Sequence, residues 1–253
     1  MDFKKALEIV LETKNIIMDK ESAHNITVKG EADYVTQTDF KVQSFLMEKL
    51  SEAYPEAGFL AEEKDNDYNG GTPIWIIDPI DGTTNLIHGC NMSAVSLAYY
   101  DGKEVIFGAV YNPFTGELFR AEKGKGAFLG EAPIHCTGTD KLNRCLVSVG
   151  TSPYYKDEAE GNFRLFQKVF LTCEDIRRTG SAALDHCYVA AGRFDIYFER
   201  HLKPWDYAAG KLILEEAGGK VTGWQGEEAD PTKIWDIVAT NGKVHEAFLE
   251  MIK

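Results

Sequence analysis

The sequence predicts an α/β protein built in layers, and three observations carry that prediction. Between residues 93 and 129, β-prone segments follow one another with turn signals between them, the mark of an antiparallel meander. From residue 146 onward, strand-like and helix-like segments alternate instead. Ahead of both, Ile74-Trp75-Ile76-Ile77 is apolar without interruption, as a strand covered on both faces would be. A chain of 253 residues can bury one large core or two closely packed halves. The change of pattern divides it into residues 1–145, an α+β half with an antiparallel sheet, and 146–253, an α/β half, packed as one continuous unit.

Taken in order, residues 3–20 read as an amphipathic helix. Phe3, Ala6, Leu7, Val10, Leu11 and Ile17 recur at three- and four-residue spacing among lysines and glutamates. Residues 26–35 are β-prone, with a break at Gly30. Thr36, three positions before Asp39, makes a capping pattern and opens a second helix running to about Tyr54. A short apolar approach, Phe59-Leu60-Ala61, ends in Glu62 and Glu63, and the polar, glycine-bearing stretch 65–72 reads as a loop. Asp101-Gly102 joins strands at 93–100 and 104–112 as a hairpin, and 117–122 and 127–129 continue the meander. Beyond it come a strand at 146–150, a helix near 162–170 and a helix at 180–191 with Gly192 as its C-terminal cap. A strand at 195–199, a helix at 205–217 stopped by Gly218-Gly219, a strand at 236–240 and a helix at 244–252 complete the chain.

Composition narrows the function. The net charge of −13 argues against broad binding to nucleic acid or anionic membranes. Five scattered cysteines, never spaced Cys-x-x-Cys, fit neither a disulfide scaffold nor a zinc site. No apolar run approaches the ~18 residues of a membrane span. The charged N-terminal residues do not form a signal peptide, so cytoplasmic residence is expected.

The chemistry gathers after the apolar run, in Asp78-Pro79-Ile80-Asp81-Gly82-Thr83-Thr84-Asn85. Pro79 fixes φ and has no N–H, so a turn around it can aim Asp78 and Asp81 into one pocket and free the Ile80 carbonyl. Two carboxylates and a carbonyl are hard oxygen ligands, suited to Mg²⁺ rather than zinc. Gly82 lets backbone approach a ligand closely, and a helix starting near Thr83 or Thr84 would point N–H groups at a phosphate. A bare Asp-x-x-Asp-Gly is more often a surface turn. Here it ends a buried strand, where α/β proteins commonly place ligands. Bound cations would also let an acidic protein receive an anionic substrate. Judged singly, Asp39 reads as a helix cap, Glu62 and Glu63 as a solvated pair, and Asp206 as a first-turn acid.

The string from Ile74 to Leu86 resembles the signature of the inositol monophosphatase family, a group of Mg²⁺-dependent, lithium-sensitive phosphatases. Trp205-Asp206-Tyr207-Ala208-Ala209-Gly210, with Glu216-Ala217-Gly218-Gly219 after it, resembles that family's C-terminal motif. The segments 33–39 and 61–63 resemble its upstream motifs, with Ala61 where glycine is usual, so the resemblance covers nearly the whole chain. It implies the layered αβαβα sandwich shared with fructose-1,6-bisphosphatases, a homodimer, and hydrolysis of a small polyol or sugar phosphate, myo-inositol 1-phosphate first. It also implies two Mg²⁺ ions and a third, weaker one near Glu62. Asp78 would bridge the pair, Glu62 and the Ile80 carbonyl would complete the first site, and Asp81 and Asp206 the second. Asp39 would orient Thr83, which with Glu62 would position the attacking water.

Substrate-binding residues carried over on the same motifs are Asp81, Gly82, Thr83, Ser181, Ala182 and Glu199, the last seven positions before Asp206. His201 reads as a surface residue and Lys203 as a solvated lysine. Fructose 1,6-bisphosphate and histidinol phosphate are the alternative substrates. A 3′-phosphoadenosine phosphatase fits less well, since that branch usually has lysine where Thr84 stands. Some bacterial relatives also serve as partners of the transcription antitermination machinery, a role that the acidic balance here does little to support.

Overall fold

The protein is described from a computed structural model, which covers residues 2–19, 26–30, 33–63 and 72–253. Its first helices are α1 (Lys4–Glu12) and α2 (Lys14–Ile17). The expected single helix is interrupted at buried Thr13, whose hydroxyl donates to the Val10 carbonyl at 2.6 Å, a local bond that competes with regular helix. Residue 20, its expected end, lies outside the described residues. β1 (Ile26–Gly30) and β2 (Asp33–Thr36) pair antiparallel, with the irregularity next to Gly30 that the sequence led us to expect. α3 (Gln37–Ala53) opens with the predicted capping box: the Thr36 hydroxyl accepts from Thr38 N at 3.1 Å, and Asp39 Oδ2 accepts from Thr36 N at 2.8 Å. Most of the expected loop at 65–72 falls outside the described residues.

The meander is a seven-stranded sheet. Its strands are β3 (Gly58–Ala61), β4 (Ile74–Asp81), β5 (Ala94–Tyr100), β6 (Val105–Asn112), β7 (Glu117–Glu122), β8 (Ala127–Leu129) and β9 (Ala132–Ile134), neighbours in chain order. A short helix, α4 (Thr83–Ile87), follows β4. All pairs are antiparallel except β3 with β4. β4 runs past its apolar stretch, so both acids belong to the strand. Asp78 pairs with Ser96 and Asp81 with Ala94, which leaves one extra residue on β4. Pro79 explains the bulge, since it cannot donate to the ladder. Trp75 and Ile77 pack with Phe3, Ile9, Leu46 and Leu50 on one face, while Ile74 and Ile76 join the core on the other. That two-sided covering is why the run carries no polar residue.

The second sheet takes β10 (Leu146–Val149), β11 (Asp175–Arg177), β12 (Ile196–Leu202), β13 (Lys220–Gly223) and β14 (Trp235–Thr240) in the order β11-β10-β12-β14-β13. β10 is parallel to β11 and to β12, and β14 is antiparallel to both its neighbours. Among these strands run α5 (Ala159–Thr172), α6 (Ala182–Ala190), α7 (Pro204–Glu216) and α8 (His245–Ile252). Every residue of α6 is buried, and α6 and α7 share one apolar core with the inner faces of both sheets. α1 and α3 cover the far face of the first sheet, and α5 and α8 that of the second. The result is the expected αβαβα layering. The strands missed from sequence, β3, β9, β11 and β13, are each three or four residues long and lie at sheet edges. Such strands need no apolar alternation, and β9 tolerates Pro133 for that reason. No described helix is long and apolar enough to cross a membrane.

Candidate active site

The end of β4 delivers its acids to a cleft between the two sheets. Asp78 is buried, and its carboxylate accepts from the Ile80 N–H at 2.9 Å. Asp81 reaches across to the first turn of α6. Its Oδ2 accepts from Ser181 Oγ at 2.5 Å and Ala183 N at 2.8 Å, and its Oδ1 from Ala182 N at 3.3 Å. Ser181 and Ala182, expected as substrate contacts, therefore give these donors to Asp81, although both still line the cleft. Ser181 also caps α6 by accepting from Leu184 N at 3.3 Å. Gly82 follows at φ 86°, a left-handed conformation that turns the chain at once into α4.

Two further acids arrive from distant segments. Glu62, just past β3, and Asp206, in the first turn of α7, line the same cleft as Asp78, Ile80 and Asp81. Asp206 is the helix-capping acid of the simpler reading, because Oδ2 accepts from Lys203 N at 2.7 Å. It is also a member of the cluster. Burial first, then the charges of Glu62 and Asp81, push its carboxyl well above the usual range. Asp78 is raised by burial and then by Glu62, Asp81, Asp206 and Asp39. For Asp81, burial outweighs the hydrogen bonds from Ser181, Ala183 and Ala182, giving a value of about 6.

Carboxylates whose strongest charged neighbours are one another need a counter-charge, and an all-oxygen set suits a hard divalent cation. The donor chemistry fits Mg²⁺. As they stand, no group of three or more His, Cys, Asp or Glu among the described residues is arranged to hold an ion. Asp78, Asp81 and Asp206 each accept hydrogen bonds from nearby donors, and a carboxylate keeps further lone pairs beside them.

Thr83 begins α4 with its hydroxyl 3.1 Å from both Asp39 Oδ1 and the Ile80 carbonyl. Asp39 is fully buried and does serve as a cap, so the capping role and the expected orienting contact to Thr83 coexist on its two oxygens. Glu199 also lines the cleft. Its carboxyl is raised, chiefly by burial. His201 sits at the rim, stacked on Tyr155 at 4.0 Å with Nε2 2.9 Å from Glu158. Lys203 Nζ lies over the rings of Tyr154 and Trp205.

Several supporting residues escaped sequence reasoning. Asp185, buried at the cleft wall, accepts from Ser148 Oγ and Thr179 Oγ1, each at 2.7 Å. The Asn85 amide donates to Met92 O at 2.7 Å and Thr179 O at 3.0 Å, tying α4 to the turn before α6. Only the position of Asp185 within the Gly180–Asp185 string could have hinted at it.

Comparison with known proteins defines the class first: this chain is a phosphatase, a phosphoric monoester hydrolase. The model of the inositol monophosphatase family matches residues 3–253, and the chain belongs to that family. It is 39% identical over 232 residues to an inositol-1-monophosphatase of Caulobacter vibrioides, covering 90% of each chain. It is equally 39% identical over 248 residues to the Nus factor SuhB of Vibrio cholerae, covering 94% of this chain and 90% of that one. Among solved structures, the extragenic suppressor protein SuhB of Bartonella henselae superposes with a TM-score of 0.91 at 33% identity, over 99% of this chain and 98% of that one.

Proposed function

We propose that the protein is a cytoplasmic, homodimeric, Mg²⁺-dependent phosphatase of small polyol or sugar monophosphates, with myo-inositol 1-phosphate as its preferred substrate. The observation that carries this reading is the gathering of Glu62, Asp78, Asp81 and Asp206 beside the Thr83–Asp39 pair in one cleft. Glu62, Asp78, the Ile80 carbonyl, Asp81 and Asp206 would hold the cations. Bound divalent cations supply the positive charge that phosphate monoester hydrolysis needs on its attacking and leaving oxygens.

The chain's own residues do the rest. Asp39 takes the Thr83 proton in a hydrogen bond, which leaves the Thr83 oxygen free to accept from the attacking water next to Glu62. The N–H groups of Gly82 and Thr83 hold the phosphate, and Glu199 receives substrate hydroxyls. A phosphate-release screen over about a dozen esters, with fructose 1,6-bisphosphate and histidinol phosphate among them, tests the substrate. Rigorous chelation and lithium test the metal. Full turnover after chelation would overturn the reading.

The similarity to a Nus factor supports a second reading, partnership with the antitermination machinery. A pull-down with polymerase and ribosomal leader RNA, run with wild type and Asp206→Asn, separates that role from hydrolysis.

A further inference from the structure

Glu199 does not hang freely into the cleft. Its Oε1 accepts from Ser152 N at 2.8 Å and its Oε2 from the Tyr197 hydroxyl at 2.6 Å. Tyr197 stands two residues earlier on β12 and so projects from the same face. It is completely buried, and its ring meets His186 edge-on at 4.9 Å. The phenol is therefore fixed, and its proton is directed at the carboxylate.

The opposite side of Glu199 is closed by Gly150, at the end of β10. A Cβ built on Gly150 would lie 1.8 Å from Glu199 Cδ and 1.9 Å from Oε2. Its φ is not in the left-handed range, so backbone conformation does not require glycine here. The requirement is spatial. Any side chain at position 150 would occupy the place of the carboxylate and drive it out of position.

We infer that Tyr197 and Gly150 determine specificity by fixing the Glu199 carboxylate at the cleft wall, where it selects phosphate esters that carry hydroxyl groups. A carboxylate has about four lone-pair sites. Ser152 N and Tyr197 use one on each oxygen, which leaves one on each for the substrate. An ester without hydroxyls leaves that acceptor unpaired, and unpaired polar groups are what make a hydrogen-bonding site reject analogues. The inference rests on the polyol-phosphatase reading above. Tyr197 and Gly150 are positioning residues, since neither needs to touch the substrate.

The test compares kcat/KM for myo-inositol 1-phosphate and phenyl phosphate in wild type, Tyr197→Phe and Gly150→Ala. Tyr197→Phe keeps the ring and its packing and removes only the donor. It should lower the inositol-to-phenyl ratio about tenfold, the worth of one hydrogen bond to a charged group. Gly150→Ala should lower it at least as far. On a Glu199→Gln background Tyr197→Phe should change the ratio no further, because its effect passes through the carboxylate. Equal losses on both substrates, or independent effects in the double variant, would assign Tyr197 to packing alone. A wild-type preference that both variants retain overturns this inference but leaves the polyol reading intact. A wild type with no preference overturns both.

Discussion

Replacing Asp81 by asparagine should make the metal-free protein more stable while removing most of its activity. The ionised carboxylate is buried, and its pKa rises from 3.8 to about 6 in the fold. At roughly 1.4 kcal/mol per unit, the charge costs the metal-free protein about 3 kcal/mol at pH 7. Asparagine can place its oxygen where Oδ2 accepts from Ser181 and Ala183, leaving its NH₂ opposite only the long 3.3 Å contact from Ala182 N. Weaker, uncharged hydrogen bonds return about 1–2 kcal/mol of that gain. The net is a stabilisation of about 1–2 kcal/mol, or roughly 2–8 °C for a chain of this length. The pH dependence has a definite sign. A carboxyl whose folded pKa is raised binds protons better in the fold, so wild type loses stability as pH climbs from about 4 to 6. The gap in favour of Asp81→Asn should open over that window and close below it. Urea unfolding of both proteins in EDTA from pH 4 to 8 measures it directly. Added Mg²⁺ should stabilise wild type more than the variant. If the variant is the less stable protein in EDTA at pH 7.5, or the gap ignores pH, the account of a charge-strained site is wrong.

Asp206→Asn should fold normally, lose one bound Mg²⁺ by calorimetric counting and turn over at least about a hundredfold more slowly; an unchanged count with near-normal turnover would leave Asp206 as a helix cap only. Glu199→Gln should reduce kcat/KM for inositol 1-phosphate far more than for an aryl phosphate, and equal losses would assign Glu199 to structure. Asp39→Asn and Thr83→Val should each lower kcat with little change in KM, and the double variant should be no worse than the poorer single one; multiplicative losses would show that the 3.1 Å contact between them is not the working one. Burial holds both His186 and His245 down at about 4 from 6.5. The unfolded chain then takes up protons that the fold refuses, so their contribution is complete above pH 6.5 and is lost as pH falls toward 4. Proton NMR should find both imidazoles still neutral at pH 5, and titration near 6.5 would contradict their burial.

The site was legible in sequence wherever its chemistry is local. Asp78, Ile80, Asp81 and Thr83 belong to one continuous string, and the buried strand before it is plain from four apolar residues in a row. What could not be read are partnerships made only in space. Asp81 meets Ser181 across 100 positions, Asn85 meets Thr179 across 94, and Ser148 meets Asp185 across 37. Ser181 and Ala182 show the consequence. Their motif was recognisable, but nothing in it reveals that their donors face a carboxylate. Thr13 broke a well-patterned helix for a related reason, because its hydroxyl competes locally for a carbonyl that periodicity cannot register.

These long-range contacts also explain how the protein can hold so much negative charge at one point. Asp81 comes from the first sheet, yet its donors come from α6, and Ser96 of β5 donates to the Trp205 carbonyl in α7 at 3.0 Å. Glu199 is supplied by the second sheet. The cleft is thus a seam between the sheets, with repelling carboxylates along it and the fully buried helix α6 and largely buried α7 behind it. Apolar burial in that middle layer offsets the repulsion, at about 25 cal/mol for each Å² removed from water. Cations bound in the seam would neutralise it and act as cross-links, adding stability in proportion to the logarithm of their concentration over Kd. Stability and activity should therefore respond to Mg²⁺ together, because the same carboxylates that strain the metal-free fold are the ones that would hold the ions.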